Sequence, residues 1–592
     1  MKKFLTILAV LMVSHGLVCA APSGIDPGVQ GQSTREQMKQ LQIEQKFVQP
    51  AMQKTPDIDQ TYKMELQKNL DLQDGRVFNP QFHLNKINFE GNTVIKTKKL
   101  DKLAKEIEGQ DIYFSDLIDF TAKVSRFYQK KGYLTSYASV PEQQIKDGIV
   151  TIYIKESRIG SRVIEGEKWA NPWYVEHVLA GRKGIQEGDV FDSKALQAVL
   201  KEINMDNEYQ SVTTSIKKNK DNDMTEIKLE LPDRFPVTLD MNWDNYGRDI
   251  TGRQRWTGIL GSQNLTGFGD RIYGGTILSS GSRGAMAGYN IPISKYGTRL
   301  NYDFAYTDVS LGGGLRPLKI KGQSMSHFIS ISHPFIRNAK TDLIGRIGID
   351  FVNTSSETEL FGMKLSDYNL RVLRSSLYGM HDDKLGRWLG NLGCDFGFNG
   401  LGSSSGFAGG PQSEFVKVTA GGARVHRLPL DSIAIFRVSG QYSPNRLYPI
   451  EQMQIGGPFT LRGYQPAEII GDYGVAGTFE LRFPVPGLKQ AQKILPEKMQ
   501  VLDDRIKLAA FYDFGYIGNN SQMYSYPRNF LHSVGVGLHM YLTQFLSCQF
   551  GFGVPLGHKY YNEQSVRFYF GVSTEFDKLL PIKSKQKKIE VI

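Results

Sequence analysis

From Val237 onward hydrophobic and polar positions alternate one by one, in runs broken by Gly, Asn, Ser and Asp. Val237 to Trp243 alternates strictly, as do Val475 to Phe483, Ile506 to Gly515, Val534 to Leu542 and Val566 to Phe576. A period of two sends successive side chains to opposite faces of a strand. About sixteen such strands fit along this stretch, a number and spacing that suit a closed transmembrane barrel with short turns and some long loops. An even count puts both barrel ends on one side of the membrane, and no convincing helix follows Pro236.

Upstream the pattern differs. Two similar units each read strand, helix, helix, strand, strand. The first runs from Phe82 to Phe89, through the turn Gly91-Asn92 and helices over Thr97 to Glu108 and Ser115 to Lys130, to strands Leu134 to Val140 and Gly148 to Glu156. The second begins at Ile159, with helices over Tyr174 to Leu179 and Ser193 to Asn204 and strands Val212 to Lys217 and Met224 to Leu231. Such a βααββ layer buries one sheet face under two helices. Before them, a Gln-rich stretch holds one helix opening at Ser33 with its capping box closed by Glu36, ended by Pro50. Its apolar stripe, Met38, Leu41 and Phe47 or Val48, is too thin to build a core.

The expected fold is therefore mainly β: a sixteen-stranded transmembrane antiparallel barrel preceded by two βααββ domains and an N-terminal helix. Residues 1–20 read as a secretory signal, with Lys2 and Lys3, an apolar run from Phe4 to Val13, and the small-residue site Val18-Cys19-Ala20. The remaining divisions are helix and linker (21–78), the two small domains (79–156 and 157–235), the barrel (236–576) and a basic tail (577–592).

The candidate chemistry lies late in the chain. In Ile506 to Gly515, Asp513 shares a face with Lys507, Ala509, Phe511 and Gly515, opposite the apolar Ile506, Leu508, Tyr512 and Phe514. An outer face against lipid puts Asp513 in the lumen. A carboxylate in a constricted barrel needs a partner, and an arginine fork carried by a long loop matches its geometry better than a lysine. Leu461-Arg462-Gly463-Tyr464, after a glycine-rich approach, supplies that arginine. Glu480 competes with Asp513 for it, from the lumen face that also carries Ala476, Thr478 and Arg482.

Composition narrows the partners. The 61 glycines, 28 tyrosines and 33 phenylalanines fit a barrel with aromatic belts. The net charge of +11 lacks a basic stripe interleaved with aromatics, so anionic outer-membrane lipids, not nucleic acid, are the expected electrostatic partner. Cys394 and Cys548 each share a face with apolar residues and are expected to point to lipid, on strands too separated for a disulfide. No cluster has metal-ligand spacing and no cofactor is expected. Gly402-Ser403-Ser404-Ser405-Gly406 matches a hydrolase elbow only formally, because no helix follows it, so no enzyme is expected.

Taken together, these residues resemble two-partner secretion transporters of the TpsB family, the ShlB-like haemolysin activators of the outer-membrane protein assembly superfamily. The resemblance rests on Gly132-Tyr133-Leu134 leading to Val140-Pro141-Glu142-Gln143 and Asp147-Gly148, and on Asp244-Asn245-Tyr246-Gly247 with Thr251-Gly252-Arg253. Leu265-Thr266-Gly267-Phe268-Gly269-Asp270, Gly456-Gly457, the Leu461 to Tyr464 motif, Gly471-Asp472 and Phe511-Tyr512-Asp513-Phe514-Gly515 complete it. It implies a plug helix, two POTRA domains in the periplasm and a barrel whose sixth extracellular loop folds back into the lumen. Arg462 would be the tip of that loop and Asp513 its wall partner. It further implies an unfolded, TpsA-like β-helical exoprotein as partner, captured on the edge strand after the second helix. Here that means Leu134 to Val140 and the strand beginning Val212, Thr213, Thr214, Ser215. Leu461 stands where the family more often has Val, and about sixteen residues follow the last strand where the family usually ends on an aromatic. The competing reading is an outer-membrane assembly or insertion factor, which would usually carry three or more such domains.

Overall fold

A computed structural model of the chain describes Gln30, Gln32 and residues 79–166, 172–206, 213–218, 224–231, 237–263, 265–338, 340–404, 410–486, 505–520, 528–542, 545–558 and 565–576. The expected signal, the helix expected to open at Ser33 and the basic tail lie outside these residues. Gln30 and Gln32 are helical. The contacts divide the chain into two compact units, one centred on Lys54–Arg234 and one on the barrel.

In the first small domain the expected single strand is two, β1 (Gln81–Leu84) and β2 (Lys86–Glu90). The break is at Asn85, whose N–H donates to Gly148 O at 2.8 Å and whose Nδ2 donates to Asp147 O at 2.8 Å. After α1 (Thr97–Ala104), a strand the sequence pattern did not announce, β3 (Gln110–Tyr113), pairs with β1. Then come α2 (Phe114–Lys131), β4 (Tyr137–Ser139) and β5 (Ile149–Lys155), with sheet order β2-β5-β4. The domain is thus ββαβαββ, not βααββ. Leu117, Phe120, Val124 and Tyr128 recur at helical spacing on α2 and are buried in one core with Ile87, Val150, Ile152 and Ile154 from the sheet. Each fully buried side chain of this size contributes about 1.5–3 kcal/mol. Burial, reinforced by Glu156, holds the Tyr128 hydroxyl well above its usual pKa.

The second domain has the expected order: β6 (Ile159–Gly166), α3 (Pro172–Leu179), α4 (Ser193–Asp206), β7 (Thr213–Lys218) and β8 (Thr225–Leu231). Its sheet runs β6-β8-β7, with β7 at an edge. Only Glu156, Ser157 and Arg158 separate β5 from β6. The two domains also touch directly. Ser193 N–H donates to Gly132 O at 2.9 Å, Thr225 Oγ1 donates to Thr135 Oγ1 at 3.2 Å, and Leu134 packs against the second domain's core.

Sixteen antiparallel strands between Val237 and Glu575 close into a barrel, each paired with its neighbour in sequence and the last with the first. Outward positions are apolar and exposed, including Leu239, Met241, Ile329, Phe479, Val536 and Phe552, whereas Asp350, Lys417, Glu480, Arg482 and Asp513 are buried inside. Cys394 and Cys548 are free thiols; Cys394 is half-buried, and Cys548 is only 9% exposed although its face also carries Phe550 and Phe552. Among the described residues a 3-10 segment at Gly313–Leu318 interrupts the all-strand expectation. The closing seam pairs only Gly571–Glu575 with Asp240–Asp244. Asn245 extends it by one step: its side chain accepts from Phe570 N–H and donates to Phe568 O, both at 2.9 Å.

Candidate functional site in the barrel lumen

Residues 443–472 join the strands Ile433–Tyr442 and Tyr473–Pro484 and fold into the barrel. A short hairpin, Met453–Ile455 against Ile469–Gly471, forms the loop's neck. Leu461 and Tyr464 then pack with Ile455, Ile469, Ala476, Ile517 and Leu531 in an apolar cluster inside the otherwise polar lumen. The loop therefore carries its own small core, and the strands supply the far side. At the neck, Asp472 accepts from Leu447 N–H at 2.9 Å and from Asn520 N–H at 2.8 Å.

Arg462 reaches both expected carboxylates. Its Nε and Nη2 donate to Asp513 at 2.9 and 2.8 Å, its own backbone N–H donates to Asp513 Oδ2 at 2.9 Å, and Nη1 donates to Glu480. The guanidinium carbon lies over Phe511, 3.4 Å from the ring centre, which is a cation–π contact. Arg482 donates to the other oxygen of Glu480 at 2.6 Å, and His539 Nε2 lies 3.7 Å away. Asp513 is fully buried and Glu480 is 1% exposed. Two arginines thus face two carboxylates. Removing one partner from a buried set of this kind costs about 3–5 kcal/mol, because the remainder is left uncompensated.

Tight backbone approach sets the position of the tip. Gly463 has φ +104°, a conformation costly to other residues, and a Cβ placed on Gly553 would lie 2.4 Å from Gly463 N. Tyr569 Oη donates to Tyr464 O at 2.6 Å and accepts from Gly463 N–H at 3.2 Å, while Tyr464 Oη donates to His532 O at 3.2 Å. Gly515, at the end of the strand motif, leaves room for Ile455 and Leu461, whose Cδ1 atoms a Cβ there would meet at 2.9 Å. Sequence reasoning missed Tyr569; the lumen face it shares with Arg567 was a usable signal. Gln32 also belongs to this lumen: its Nε2 donates to Gln452 O at 2.8 Å and its Oε1 accepts from Gln454 at 2.7 Å.

Among the edge-strand candidates, Val212 lies outside the described residues, and Thr213, Thr214 and Ser215 begin β7, paired with Glu230, Leu229 and Lys228 of β8. In the first domain β4 is only three residues long, and Ala138 N–H already donates to Ser125 Oγ at 2.9 Å. The longer edge is therefore in the second domain. Beside it Lys228 lies between Glu165 and Glu230, and its hydrogen bonds to them raise its pKa.

The family model for the haemolysin secretion/activation proteins ShlB/FhaC/HecB matches residues 223–540, and the ShlB-type POTRA domain model matches residues 82–157. The heme/hemopexin transporter protein HuxB of Haemophilus influenzae (strain 86-028NP) is 22% identical over 504 residues, 82% of this chain and 85% of that one. The outer membrane transporter CdiB of Dickeya dadantii (strain 3937) is 24% identical over 428 residues, 69% and 74% of the two chains. The solved structure of CdiB from Escherichia coli superposes with a TM-score of 0.73 at 20% identity, over 92% of this chain and 99% of that one, which is a likeness of fold.

Proposed function

The chain belongs to the haemolysin secretion/activation family ShlB/FhaC/HecB, and from that premise we propose how this two-partner secretion transporter of the outer membrane receives and passes its exoprotein. Its small domains face the periplasm and its barrel crosses the outer membrane. The alternative of a barrel-insertion factor is the poorer reading, since the family matched is one of secretion and activation.

The partner proposed is an unfolded, TpsA-like β-helical exoprotein, received as an extended segment on the edge of β7, where unpaired backbone groups can continue the sheet. The observation that carries the transport reading is the lumen itself: a closed barrel whose interior is filled by a loop fixed through Arg462 to Asp513 and Glu480. The loop must yield for a polypeptide to pass, and a charged latch on the wall gives it a defined resting position. No nucleotide is needed, and folding of the exported chain outside the cell supplies direction.

Arg462→Ala tests the latch. Barrel insertion should stay close to wild type, because closure depends on the strand ladder, while secretion of the partner at matched surface levels should fall at least tenfold. Equal secretion by the variant and wild type would remove the latch from the mechanism.

A further inference from the structure

The long loop is fastened a second time, with the charges reversed. Glu451, on its stem, is 1% exposed. Arg374 Nη1 and Nη2 donate to its carboxylate at 3.1 and 2.6 Å, and Lys417 Nζ donates to it as well. These cations come from the strands Met363–Asp383 and Phe415–Arg427, away from the strands that hold Arg462. The same two cations also serve the wall: Arg374 pairs with Asp350 and Asp395, each at 2.9 Å, and Lys417 with Asp395 at 3.3 Å. Apolar packing backs the contact. Leu447 and Ile450 of the stem join Val352, Leu370 and Phe415 in one buried cluster, and Tyr448 stacks on Tyr368 with ring centres 4.3 Å apart.

Counting charges separates loop from wall. Without Glu451, Arg374 and Lys417 face Asp350 and Asp395, two cations against two carboxylates. Glu451 is a third carboxylate that the wall does not need for balance, whereas Glu451, buried, cannot remain charged without the wall. The contact is therefore organised to hold the loop.

We propose that Glu451 is a second positioning residue of the transporter, pinning the loop's stem to the strands around Arg374 and Lys417 while Arg462 pins its tip to those around Asp513. The stem offers a carboxylate to two wall cations and the tip a guanidinium to two wall carboxylates, so each end is matched to its own site and the loop's direction across the lumen is fixed. The inference rests on the reading that this loop closes the lumen.

The test is resting conductance of the full chain in planar bilayers with potassium chloride, alongside heat-modifiable migration as the measure of a folded barrel. Glu451→Gln should fold at wild-type yield, since the wall stays balanced, and should raise resting conductance several-fold. Glu451→Asp, which restores the carboxylate, should recover most of the closure. Lys417→Met should raise conductance too, but add little in the Glu451→Gln background, because both substitutions break one contact. Wild-type conductance in a folded Glu451→Gln barrel would overturn the proposal. So would failure of that variant to fold, which would make Glu451 part of the wall, or full additivity with Lys417→Met. If Arg462→Ala also leaves conductance unchanged, the reading of the loop as a closure fails; if Arg462→Ala opens the pore and Glu451→Gln does not, only the second anchor fails.

Discussion

At the scale of single residues, charge and shape make separable contributions to the tip of the loop. Gly553→Ala keeps every charge of the Arg462 site but puts a methyl group 2.4 Å from Gly463 N and 2.6 Å from Arg462 C, backbone atoms with no flexible end to yield. We expect it to displace the tip and reduce secretion nearly as much as Arg462→Ala, with normal barrel insertion; secretion equal to wild type would mean that the tip's position matters less than its charge. Arg462→Lys asks the converse question. A single ammonium cannot make the paired contact to Asp513 and still reach Glu480, so it should restore only a minor part of secretion. Asp513 and Glu480 were legible in the sequence because a period of two assigns each residue a face. Gly553 was not, since its need for a hydrogen side chain comes from a loop residue ninety positions earlier. Glu451 was not legible either: in Pro449-Ile450-Glu451-Gln452 no periodicity marks a face, and its partners come from distant strands.

Among elements, β7 makes the sharpest prediction. On an edge strand alternate N–H groups point into the sheet and away from it, so of Thr214 and Ser215 one donates to β8 and the other is free for a partner. Proline at the first should unfold the domain locally. Proline at the second should leave circular dichroism unchanged and weaken binding of the partner's secretion segment by about 1 kcal/mol, roughly fivefold in Kd, for one lost backbone hydrogen bond. If the folded proline variant binds as wild type does, recognition does not use this edge. The helical segment at Gln30 and Gln32 makes a second prediction: deleting residues 30–49 should raise resting conductance, since its contacts to Gln452 and Gln454 lie inside the barrel. Elements were read well where the pattern was long. The short ones failed for local reasons, β1 and β2 because Asn85 diverts its amide to Gly148, and β3 because four residues are too few to show a period.

For the molecule as a whole, the strand count was legible because turn residues punctuate the alternation, whereas the seam was not, because nothing in either sequence segment names a partner more than three hundred residues away. Its ladder is five paired positions extended by one asparagine. Asn245→Ala removes two hydrogen bonds there and should lower the temperature at which the folded band is lost on electrophoresis, by an amount corresponding to about 1–3 kcal/mol; an unchanged transition would show that the seam does not limit stability. The joined small domains have a different consequence. Through the Ser193–Gly132 hydrogen bond and the packing of Leu134, the first domain is joined to the second by more than its linker, which restricts how far β4 and β7 can move apart. A partner that gripped β4 as well as the proposed β7 edge would meet the second domain as an intramolecular event, at an effective concentration on the order of millimolar for a well-matched span. Two weak grips would then act as one strong grip, and a glycine-serine spacer inserted after Ser157 would dilute that avidity while leaving each domain's own affinity intact.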